Sequence, residues 1–418
     1  MTRPDAEKQL HDLAKVLDIS RAMMATVDLD SLLNLILQRS MELLDAERAS
    51  LFLYDQPRNE LYSRIAAGTD EIRFPADRGI AGACIRTGQT INVPDAYADG
   101  RFNQEIDRAT GFRTRNILAV PLRDYQGELV GVLQVLNKRR GGFGEYDVQL
   151  AETLAAQAGV VVQRAALIEH YLAKQQMERA MQIARDIQRA LLPQEAPAVC
   201  GFDIAGFCQP ADQTGGDTFD FMPLPDGRWM LVVADATGHG IGPALVIAET
   251  RAMLRAVSLH DAEVTRVLQT VNDLLTADLA ECRFVTCFFG LLDPLADCLH
   301  FGSAGHGPLI FHDRQADTFR QLPATGLPLG LMVQADYGEV ICHHFGRGDL
   351  AVITTDGFFE AANAAGQQFG VSRLLELLRR DRDLPSKQII ANLHHAVSDF
   401  TAGQAQADDL TAVVIRRK

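Results

Sequence analysis

The sequence predicts a multidomain α+β protein, with one domain of a sheet and flanking helices, a helical linker, and a second domain of β-sheets flanked by helices. Helical spacing followed by strand-like alternation predicts the first domain over residues 1–150. A stretch poor in glycine and proline predicts the linker over residues 151–195. Mixed strand and helix patterns predict the second domain over residues 196–418. The length of 418 residues agrees with two or three domains of roughly 150 residues each.

Composition argues against several classes of protein. Hydrophobic residues make up 47% of the chain, which is enough for sizeable cores and disfavours wholesale disorder. The net charge of −14 disfavours nucleic acid and anionic lipid as partners. No run reaches the ~18 apolar residues of a membrane span, and the N-terminus lacks the apolar segment of a signal peptide. The seven cysteines form no CxxC pair, so we expect reduced thiols and a cytoplasmic protein.

The first domain shows helix and strand patterns in sequence order. Apolar residues recur with helical spacing in the opening segment, for example at Leu32 and Ile36. Alternation at residues 49–54 then predicts a strand that ends at a polar turn. Further apolar runs at 117–122 and 128–136 flank a Gln-Gly turn and predict a hairpin. These patterns together indicate one sheet with flanking helices.

The segment after this domain predicts one long helix, because residues 147–192 contain a single glycine and no proline. Its apolar residues follow spacings of four and three at Leu154, Ala158, Val161, Ala165, Ile168 and Leu172. This heptad pattern predicts a seam for a partner helix, and we favour a parallel homodimer. A helix packed against its own domain is the alternative. After Gln176 the apolar positions resume one residue out of register, which would locally alter a supercoil.

Strand and helix patterns mix beyond the linker. Residues 242–259, 264–279 and 371–378 show helical spacing. Residues 284–292 and 309–311 are short apolar runs typical of buried strands. The second domain is therefore predicted to combine sheets with packed helices.

Four short segments of the second domain each place aspartate at a bend beside an apolar run. They are GGDTFD at 215–220, ADATGHG at 234–240, TTDG at 354–357 and DDLT at 408–411. A carboxylate at the end of a buried strand is costly without a counter-charge. Converging carboxylates therefore need a cation, and an all-oxygen ligand set suits Mg²⁺ or Mn²⁺. These residues predict a metal-dependent hydrolase that acts on phosphate esters.

These segments resemble the PPM family of metal-dependent serine/threonine phosphatases, in its SpoIIE branch of RsbU-like regulators. The similarity also includes ARDIQRALLP at 184–193, SAGHGP at 303–308 and GLPLG at 326–330. It implies a PPM-type β-sandwich flanked by helices. It further implies a phosphoserine/phosphothreonine phosphatase of bacterial signalling, whose substrate would be a phosphorylated anti-sigma-factor antagonist.

The resemblance assigns residues to a centre of two Mn²⁺ or Mg²⁺ ions. Asp217 and Asp235 would bridge the ions, and the carbonyl of Ala236 would add an oxygen ligand. Asp356 and Asp408 would complete the second ion. Two such ions activate a water molecule and clamp the transferring phosphoryl group. We therefore expect Asp217 and Asp235 to be catalytic through the metals that they hold.

Three neighbouring residues allow two interpretations each. His239 is a candidate general acid for the leaving oxygen, or a structural histidine at a helix start. Asp220 is a candidate ligand or a support for one, and Asp409 fits a cap or ion pair as well as a ligand. No arginine adjoins the loop at 215–217. We therefore expect substrate affinity to come from contacts with a folded phosphoprotein.

The first domain resembles GAF domains of the cyclic-nucleotide-binding type, found in phosphodiesterases and adenylyl cyclases. The similarity covers residues 20–165 and depends on GIAG at 79–82, INVPDAY at 91–97 and DRATGFRTRNIL at 107–118. Most of the family's NKFDE signature is matched by Asn137, Lys138, Phe143 and Asp147. The final acid of that signature is missing, because Val148 follows Asp147.

The resemblance assigns five residues to a pocket for cAMP or cGMP. The hydrogen-bonding positions are Asp107, Thr110 and Thr114, and the base-lining positions are Ser50 and Phe112. Ala66 stands where some relatives stack an aromatic ring on the purine, which leaves the base open. Another small molecule, or a purely structural dimer module, remains an alternative.

These domains together predict a ligand-regulated phosphatase in which the sensor acts through the linker. In related sensor domains a lysine–aspartate pair closes a lid, and Lys138 and Asp147 are the candidates here. An ordinary exposed ion pair is the alternative. A catalytically inert protein that sequesters a phosphoprotein is the second functional hypothesis. A phosphodiesterase is disfavoured, because the His-Asp pairs of the chain lie in dissimilar contexts.

Overall fold

A computed structural model describes residues 3–63, 72–238, 240–279 and 283–418. The chain divides into two compact units, Met1–Gln176 and Met177–Lys418. Both mix helices with sheets, and the predicted α+β multidomain class is confirmed. Over the described part of the chain, no helix combines the length and the apolar character needed to cross a bilayer.

The first unit is built on one antiparallel sheet of six strands in the order β3-β2-β1-β6-β5-β4. The strands are β1 (Ala46–Asp55), β2 (Glu60–Ser63), β3 (Ile72–Pro75), β4 (Ile91–Val93), β5 (Ile117–Arg123) and β6 (Leu129–Lys138). The helices are α1 (Arg3–Ala25), α2 (Leu29–Leu44), α3 (Gly79–Thr87), α4 (Gln104–Thr110) and α5 (Glu145–Leu191). A short 3-10 turn covers Ala96–Ala98.

Both faces of this sheet are covered by helices. Helices α1, α2 and the first half of α5 pack on one face, where Leu32, Ile36 and Leu133 are buried. Helix α3 packs on the other face through Ile80 and Cys84. Covering both faces explains why β5 and β6 carry apolar residues on both sides.

Helix α5 is continuous through the segment predicted as a linker, and the border between the two units falls inside it. The first four positions of the predicted seam, Leu154, Ala158, Val161 and Ala165, are buried in the core of the first unit. These four positions pack within their own unit, as the alternative interpretation proposed, because the apolar sheet face lies beside them. Three later apolar residues on the same helix, Leu172, Ile183 and Ile187, are exposed.

The second unit is a sandwich of two five-stranded antiparallel sheets, ordered β14-β11-β10-β9-β8 and β13-β12-β15-β16-β7. The strands are β7 (Phe202–Gln209), β8 (Asp217–Pro223), β9 (Trp229–Ala236), β10 (Val285–Asp293), β11 (Cys298–Ala304), β12 (Leu309–Asp313), β13 (Thr318–Leu322), β14 (Ile341–His344), β15 (Leu350–Thr354) and β16 (Leu410–Arg417). The helices are α6 (Ile241–Ser258), α7 (Val264–Asp278), α8 (Gly357–Glu360), α9 (Gly370–Asp381) and α10 (Ser386–Thr401).

Three apolar layers hold this unit together. Aromatic residues fill the space between the sheets, including Phe288, Phe301 and Phe311. Helices α6 and α7 cover the outer face of the first sheet, where Leu268 and Phe289 are buried. Helices α8 to α10 cover the outer face of the second sheet. This layered packing fixes the strand ends that carry the predicted metal ligands.

Candidate metal centre and ligand pocket

Two of the predicted ligands come from neighbouring strands of the first sheet. Asp217 opens β8, Asp235 is the penultimate residue of β9, and the two residues are direct cross-strand partners. Directly opposite residues in an antiparallel pair project from the same face, with Cβ atoms about 5 Å apart. Two carboxylates in this arrangement repel each other unless a proton or a cation lies between them.

The second sheet supplies the other two predicted ligands. Strand β15 ends two residues before Asp356, and β16 begins two residues after Asp408. Since β15 and β16 pair antiparallel, with Thr354 opposite Ala412, these two ends meet. The charges of Asp356 and Asp408 act on Asp235, so carboxylates from both sheets converge at one end of the sandwich.

The electrostatics of this cluster favour protonation when no cation is bound. Burial, followed by repulsion from Asp235 and Asp409, raises the pKa of Asp217 well above its usual range. Burial and the charges of Asp356 and Asp408 raise the pKa of Asp235 to about 7. Burial and Asp408 also raise the pKa of Asp356. An all-oxygen donor set with this much uncompensated charge fits hard divalent cations such as Mg²⁺ or Mn²⁺.

A threonine hydroxyl fixes Asp217 across the gap between the sheets. Thr355 Oγ1 donates to Asp217 Oδ2 at 2.8 Å and accepts from the backbone N–H of Thr411 at 3.0 Å. All three residues are buried. Thr355 therefore orients one predicted ligand and joins the second sheet to the first.

Asp409 organises the loop before β8. Its Oδ1 accepts from the backbone N–H of Ala211 at 2.7 Å, and its Oδ2 accepts from that of Asp217 at 3.2 Å. These bonds match the cap that the sequence offered as one interpretation of this residue. A Cβ on Gly215 would stand 2.2 Å from Asp409 Oδ2, so the bend before Asp217 requires glycine.

The carbonyl of Ala236 lies against the same loop. The backbone N–H of Ala236 donates to Gly216 O at 3.0 Å. A Cβ on Gly216 would stand 2.5 Å from Ala236 O and 3.4 Å from Asp235 Oδ1. The absence of a side chain at Gly216 therefore leaves both predicted oxygen ligands accessible.

Helix α5 contacts this loop through Gln188, a residue to which sequence reasoning gave no individual role. Gln188 Nε2 donates to Gly215 O at 2.6 Å, and Gly215 N donates to Gln188 Oε1 at 3.1 Å. One side-chain amide therefore satisfies both backbone groups of a residue two positions before Asp217. The sequence signal was only the match of residues 184–193 to the phosphatase family.

Asp220, for which the sequence left open a metal ligand or a support for one, forms ion pairs in the structure. It is fully buried, and Arg255 Nη2 donates to its Oδ1 at 2.7 Å. Arg251 Nε lies 3.0 Å from Asp220 Oδ2. Two guanidinium groups therefore neutralise this carboxylate, which holds α6 against β8.

A cation lies beside the first turn of α6, and a cavity adjoins Asp408. The guanidinium of Arg283 lies over the first turn of α6, with Nη1 3.5 Å from the position of a Cβ on Gly242. A cavity of about 400 Å³ is lined by Asp408, Gly357 and Glu360. His239, the predicted general acid, lies outside the described residues.

The first unit brings together two residues of the predicted nucleotide pocket. Asp107 is buried and accepts from Thr114 N at 2.7 Å and from Thr114 Oγ1 at 2.8 Å. The hydroxyl of Tyr97 donates to the same carboxylate at 3.1 Å. These groups form a network that closes the loop between α4 and β5. The side chain of Thr110 and all of Ala66 lie outside the described residues.

The two predicted base-lining residues occupy separate elements. Ser50 lies in β1 opposite Gln134 of β6 and is half-buried. Phe112 lies in the loop after α4, with the guanidinium carbon of Arg48 at 4.6 Å from its ring centroid. Ser50 is therefore part of β1, and Phe112 contacts Arg48 of the same strand. The contact with Arg48 was not predicted from the sequence.

The residues of the NKFDE signature connect separate segments of the first unit. Asn137 is 1% exposed, and it accepts from Arg115 N at 2.6 Å and donates to Arg113 O at 2.9 Å. Lys138 forms an ion pair with Asp147, and their side chains are only 18% and 15% exposed. This pair is better shielded than an ordinary surface ion pair. The signature therefore ties the loop after α4 and the start of α5 to β6.

Comparisons with known families agree with this arrangement. A family model described as "Stage II sporulation protein E (SpoIIE)" matches residues 225–418, and a GAF domain model matches residues 28–162. The first match contains Asp235, Asp356 and Asp408, and it begins eight residues after Asp217.

Curated relatives match only part of their own length. A probable 3′,5′-cyclic phosphodiesterase of Caenorhabditis elegans is 33% identical over 179 residues, which cover 39% of this chain and 24% of that protein. A cGMP-specific 3′,5′-cyclic phosphodiesterase of Drosophila ananassae is 32% identical over 218 residues, which cover 47% of this chain and 19% of that protein. This chain therefore spans about a quarter or less of these relatives.

One solved structure supports the fold of the second unit, and another aligns with it less closely. The SiaA-PP2C domain of Pseudomonas aeruginosa aligns with a TM-score of 0.53 and 20% identity, covering 59% of this chain and 98% of that one. The RsbU and RsbW domains of a Mycobacterium tuberculosis protein align with a TM-score of 0.46 and 26% identity, covering 53% of this chain and 61% of that one. The first of these alignments supports the fold alone.

Proposed function

We propose that this chain, which carries a GAF domain followed by a SpoIIE-type phosphatase domain, is a ligand-regulated, metal-dependent phosphatase of phosphoserine and phosphothreonine proteins. One observation carries the proposal. Carboxylates from the ends of four strands converge at one end of the sandwich, and burial together with repulsion from neighbouring carboxylates raises the pKa values of Asp217, Asp235 and Asp356. Such a cluster costs stability unless divalent cations compensate it.

Five oxygen donors would hold the two Mn²⁺ or Mg²⁺ ions: the carboxylates of Asp217, Asp235, Asp356 and Asp408, and the carbonyl of Ala236. When bound, such ions supply an activated water molecule and neutralise charge on the transferring phosphoryl group. Other residues of the chain position these ligands. Thr355 orients Asp217, and Asp409 holds the loop that presents it. The guanidinium of Arg283, over the first turn of α6, is a candidate contact for the substrate phosphate.

The proposed substrate is a folded phosphoprotein, and the specific candidate is an anti-sigma-factor antagonist, which the resemblance of the sequence to the SpoIIE branch suggests. The cavity beside Asp408 offers room for residues that flank a phosphorylated side chain. Specificity would then come from the protein surface around the cluster. Contacts of this kind distinguish a protein phosphatase from an enzyme that accepts any small phosphate ester.

The proposed regulator is a small molecule bound by the GAF domain, with cAMP or cGMP as the candidates. The phosphodiesterase relatives support a cyclic nucleotide, and one of them is described as cGMP-specific. Helix α5 provides a route for coupling, since it extends from Glu145 to Leu191 and carries the Gln188 contact to Gly215. Its exposed apolar residues Leu172, Ile183 and Ile187 support a coiled-coil homodimer as the form in which the signal is transmitted.

The test of catalysis is Mn²⁺-dependent release of phosphate by the full chain, from a generic aryl phosphate and from a phosphoserine protein. Asp235→Asn should lose at least about a thousandfold in kcat/KM, or roughly 4 kcal/mol. Asp226→Asn is the matched control, because Asp226 lies in an exposed turn, where its carboxylate pairs with Arg228. Equal activity of wild type and Asp235→Asn would refute the assignment. Tight binding of a phosphoprotein without turnover would favour the sequestering protein.

The test of regulation is calorimetry of the full chain with cAMP and with cGMP, followed by phosphatase assays at saturating nucleotide. We expect one nucleotide to bind and to change kcat by 5- to 150-fold, which corresponds to a coupling of about 1–3 kcal/mol. Asp107→Ala should weaken binding, since it removes the carboxylate that organises Thr114 and Tyr97. Absence of heat with both nucleotides would exclude them as the regulator.

A further inference from the structure

Two short strands of the second unit each carry a Cys-x-His pair. Strand β11 begins with Cys298 and has His300 two residues later, and β14 ends with Cys342 and His344 in the same spacing. The strands pair antiparallel, with Cys298 opposite His344 and His300 opposite Cys342. Opposite residues and residues two apart project from the same face of a sheet. The four side chains therefore form a square on one face.

The other face of these strands is committed to the sandwich core. Leu299 and Phe301 are buried between the sheets, and the His343 ring packs against Phe311 with centroids 4.5 Å apart. The Cys-x-His pairs must therefore project from the outer face of the sheet. Cys298 is 2% exposed, whereas Cys342 and His344 are exposed. A soluble ion can reach this square from solvent.

Three of the four side chains have the separations expected of ligands on one tetrahedral ion, and His300 lies beside one of them. Cys342 Sγ lies 3.5 Å from His344 Nε2, and Cys298 Sγ lies 3.6 Å from His300 Nδ1. The ligating atoms of Cys298, Cys342 and His344 all lie within 4.8 Å of one another. Zn–S bonds of about 2.3 Å and Zn–N bonds of about 2.0–2.1 Å place neighbouring ligand atoms roughly 3.5 Å apart in a tetrahedron.

The geometry points to a structural Zn²⁺ site formed by Cys298, Cys342 and His344, with His300 as the fourth ligand. Thiolate and imidazole donors select Zn²⁺, whereas the aspartate cluster offers only oxygen and suits Mg²⁺ or Mn²⁺. Four protein ligands fill a tetrahedral ion, so this site has no open position for catalysis. It is a second metal site of different chemistry in the same unit.

Backbone hydrogen bonds also join the two strands that carry the square, and one more follows just beyond them. Strand β14 is an edge strand of only four residues. The residue after it, Phe345, donates its N–H to Asp297 O at 2.8 Å, which is the residue before β11. A metal on the outer face would add side-chain bonds to this backbone pairing. It would therefore stabilise an edge strand, which has a backbone partner on one side only.

A disulfide between Cys298 and Cys342 fits the register less well. The two cysteines are diagonal neighbours, because each is directly opposite a histidine. A disulfide would join one diagonal and leave both histidines without a role. A tetrahedral ion uses all four corners. The two outcomes differ chemically, since a disulfide consumes two thiols and a metal site retains them.

The test is titration of the reduced full chain with Co²⁺, which replaces Zn²⁺ and gives distinct spectra for sulfur and oxygen ligands. We expect thiolate-to-Co²⁺ charge-transfer absorption in the near ultraviolet and intense visible bands of tetrahedral Co²⁺, with the charge-transfer absorption saturating at one sulfur-bound ion per chain. Zn²⁺ should bleach both. The oxygen ligands of the aspartate cluster produce no thiolate band, so Asp235→Asn should retain the full thiolate signal.

The variants decide which side chains carry the signal. Cys342→Ser and His344→Gln change exposed residues, so they should fold and lose the band or weaken Co²⁺ binding by more than about 100-fold, beyond the 10–100-fold cost of losing an outer partner. Cys200→Ser is the matched control, an exposed cysteine of the same unit, and should leave the spectrum unchanged. A thiolate band of wild-type intensity together with wild-type Co²⁺ affinity in Cys342→Ser would overturn the proposal. So would no band in wild type, or loss of two thiols as a Cys298–Cys342 disulfide in protein purified without reductant.

Discussion

Asp217 and Asp235 lie directly opposite each other on β8 and β9, at the end of the sheet where Asp356 and Asp408 also arrive. Like charges at directly opposite positions destabilise an antiparallel pair. Asp217 is buried and Asp235 is half-buried, so water screens the repulsion between them only in part. This arrangement is unfavourable for a purely structural pair, and it is favourable when a divalent cation is shared between the two carboxylates.

The raised pKa values predict that the stability of metal-free protein falls as pH rises. Asp235 has a folded-state pKa of about 7, above the usual value of 3.8, so the folded protein holds this proton more tightly than the unfolded chain does. The folded state therefore binds more protons between about pH 4 and 7, and the free energy of unfolding decreases with rising pH across that window. Saturating Mn²⁺ should displace the proton and flatten this dependence.

Denaturant unfolding with and without Mn²⁺ measures this effect. The single tryptophan, Trp229, lies in β9, so its fluorescence reports the second unit. Asp235→Asn is the reference, because it removes the titrating group and should show a smaller decline of stability with pH. An equal pH dependence in wild type and Asp235→Asn would contradict the prediction.

Thr355→Val should lower both stability and Mn²⁺ affinity. The substitution keeps the branched shape but removes the hydroxyl that donates to Asp217 and accepts from Thr411 N. The buried N–H of Thr411 then loses an acceptor, at a cost of about 1–3 kcal/mol in the free energy of unfolding. Thr355→Ser retains the hydroxyl and should behave nearly as wild type. Similar losses in the Val and Ser variants would show that packing, rather than the hydroxyl, is responsible.

Gly216→Ala should weaken Mn²⁺ binding. The added Cβ would stand 2.5 Å from Ala236 O, so the loop must move away from the predicted oxygen ligands. Overpacking of this kind costs about 1–3 kcal/mol, and we expect Mn²⁺ affinity to fall by at least tenfold. Gly100→Ala is the control, because a Cβ there meets no heavy atom within 4 Å. Wild-type Mn²⁺ affinity in Gly216→Ala, measured by calorimetry, would argue against Ala236 O as a ligand.

Gln188→Leu should lower kcat while the fold is retained. The change removes both hydrogen bonds to Gly215 and leaves the loop before Asp217 without its contact to α5. Two hydrogen bonds of about 1 kcal/mol each predict a loss of at least tenfold. Gln182→Leu alters an exposed residue of the same helix and should retain activity. Full activity in Gln188→Leu would remove α5 as the route by which the sensor reaches the metal loop.

The strand-end aspartates were predictable because their signal is local. An apolar run, a bend and a carboxylate occur within a few residues of each other at Asp217, Asp235 and Asp356, and glycine marks each bend. Their convergence then followed from the family resemblance. The GAF signature was predictable for the same reason. The structure adds that Asn137 holds the loop after α4 through hydrogen bonds to the backbone of Arg113 and Arg115.

The remaining features depend on partners that are distant in the chain. Thr355 contacts a residue 138 positions away, and Asp220 finds its counter-charges on a helix that follows the next strand. The spacing of Leu154 and Ala158 suits a partner helix and a sheet face equally well, so periodicity alone left their burial undecided. The square of cysteines and histidines could not be predicted from CxxC spacing. Each Cys-x-His pair has the two-residue period of a strand, and the two pairs lie on different strands, β11 and β14.

The most direct test of the central claim is anomalous diffraction from crystals of the full chain soaked in Mn²⁺. We predict two strong peaks at the end of the sandwich, both within bonding distance of Asp217 and Asp235, with Asp356 and Asp408 beside one of them. Asp235→Asn crystals should lose at least one peak. Peaks located elsewhere, or carboxylates that bind no Mn²⁺ at saturating concentration, would contradict the account.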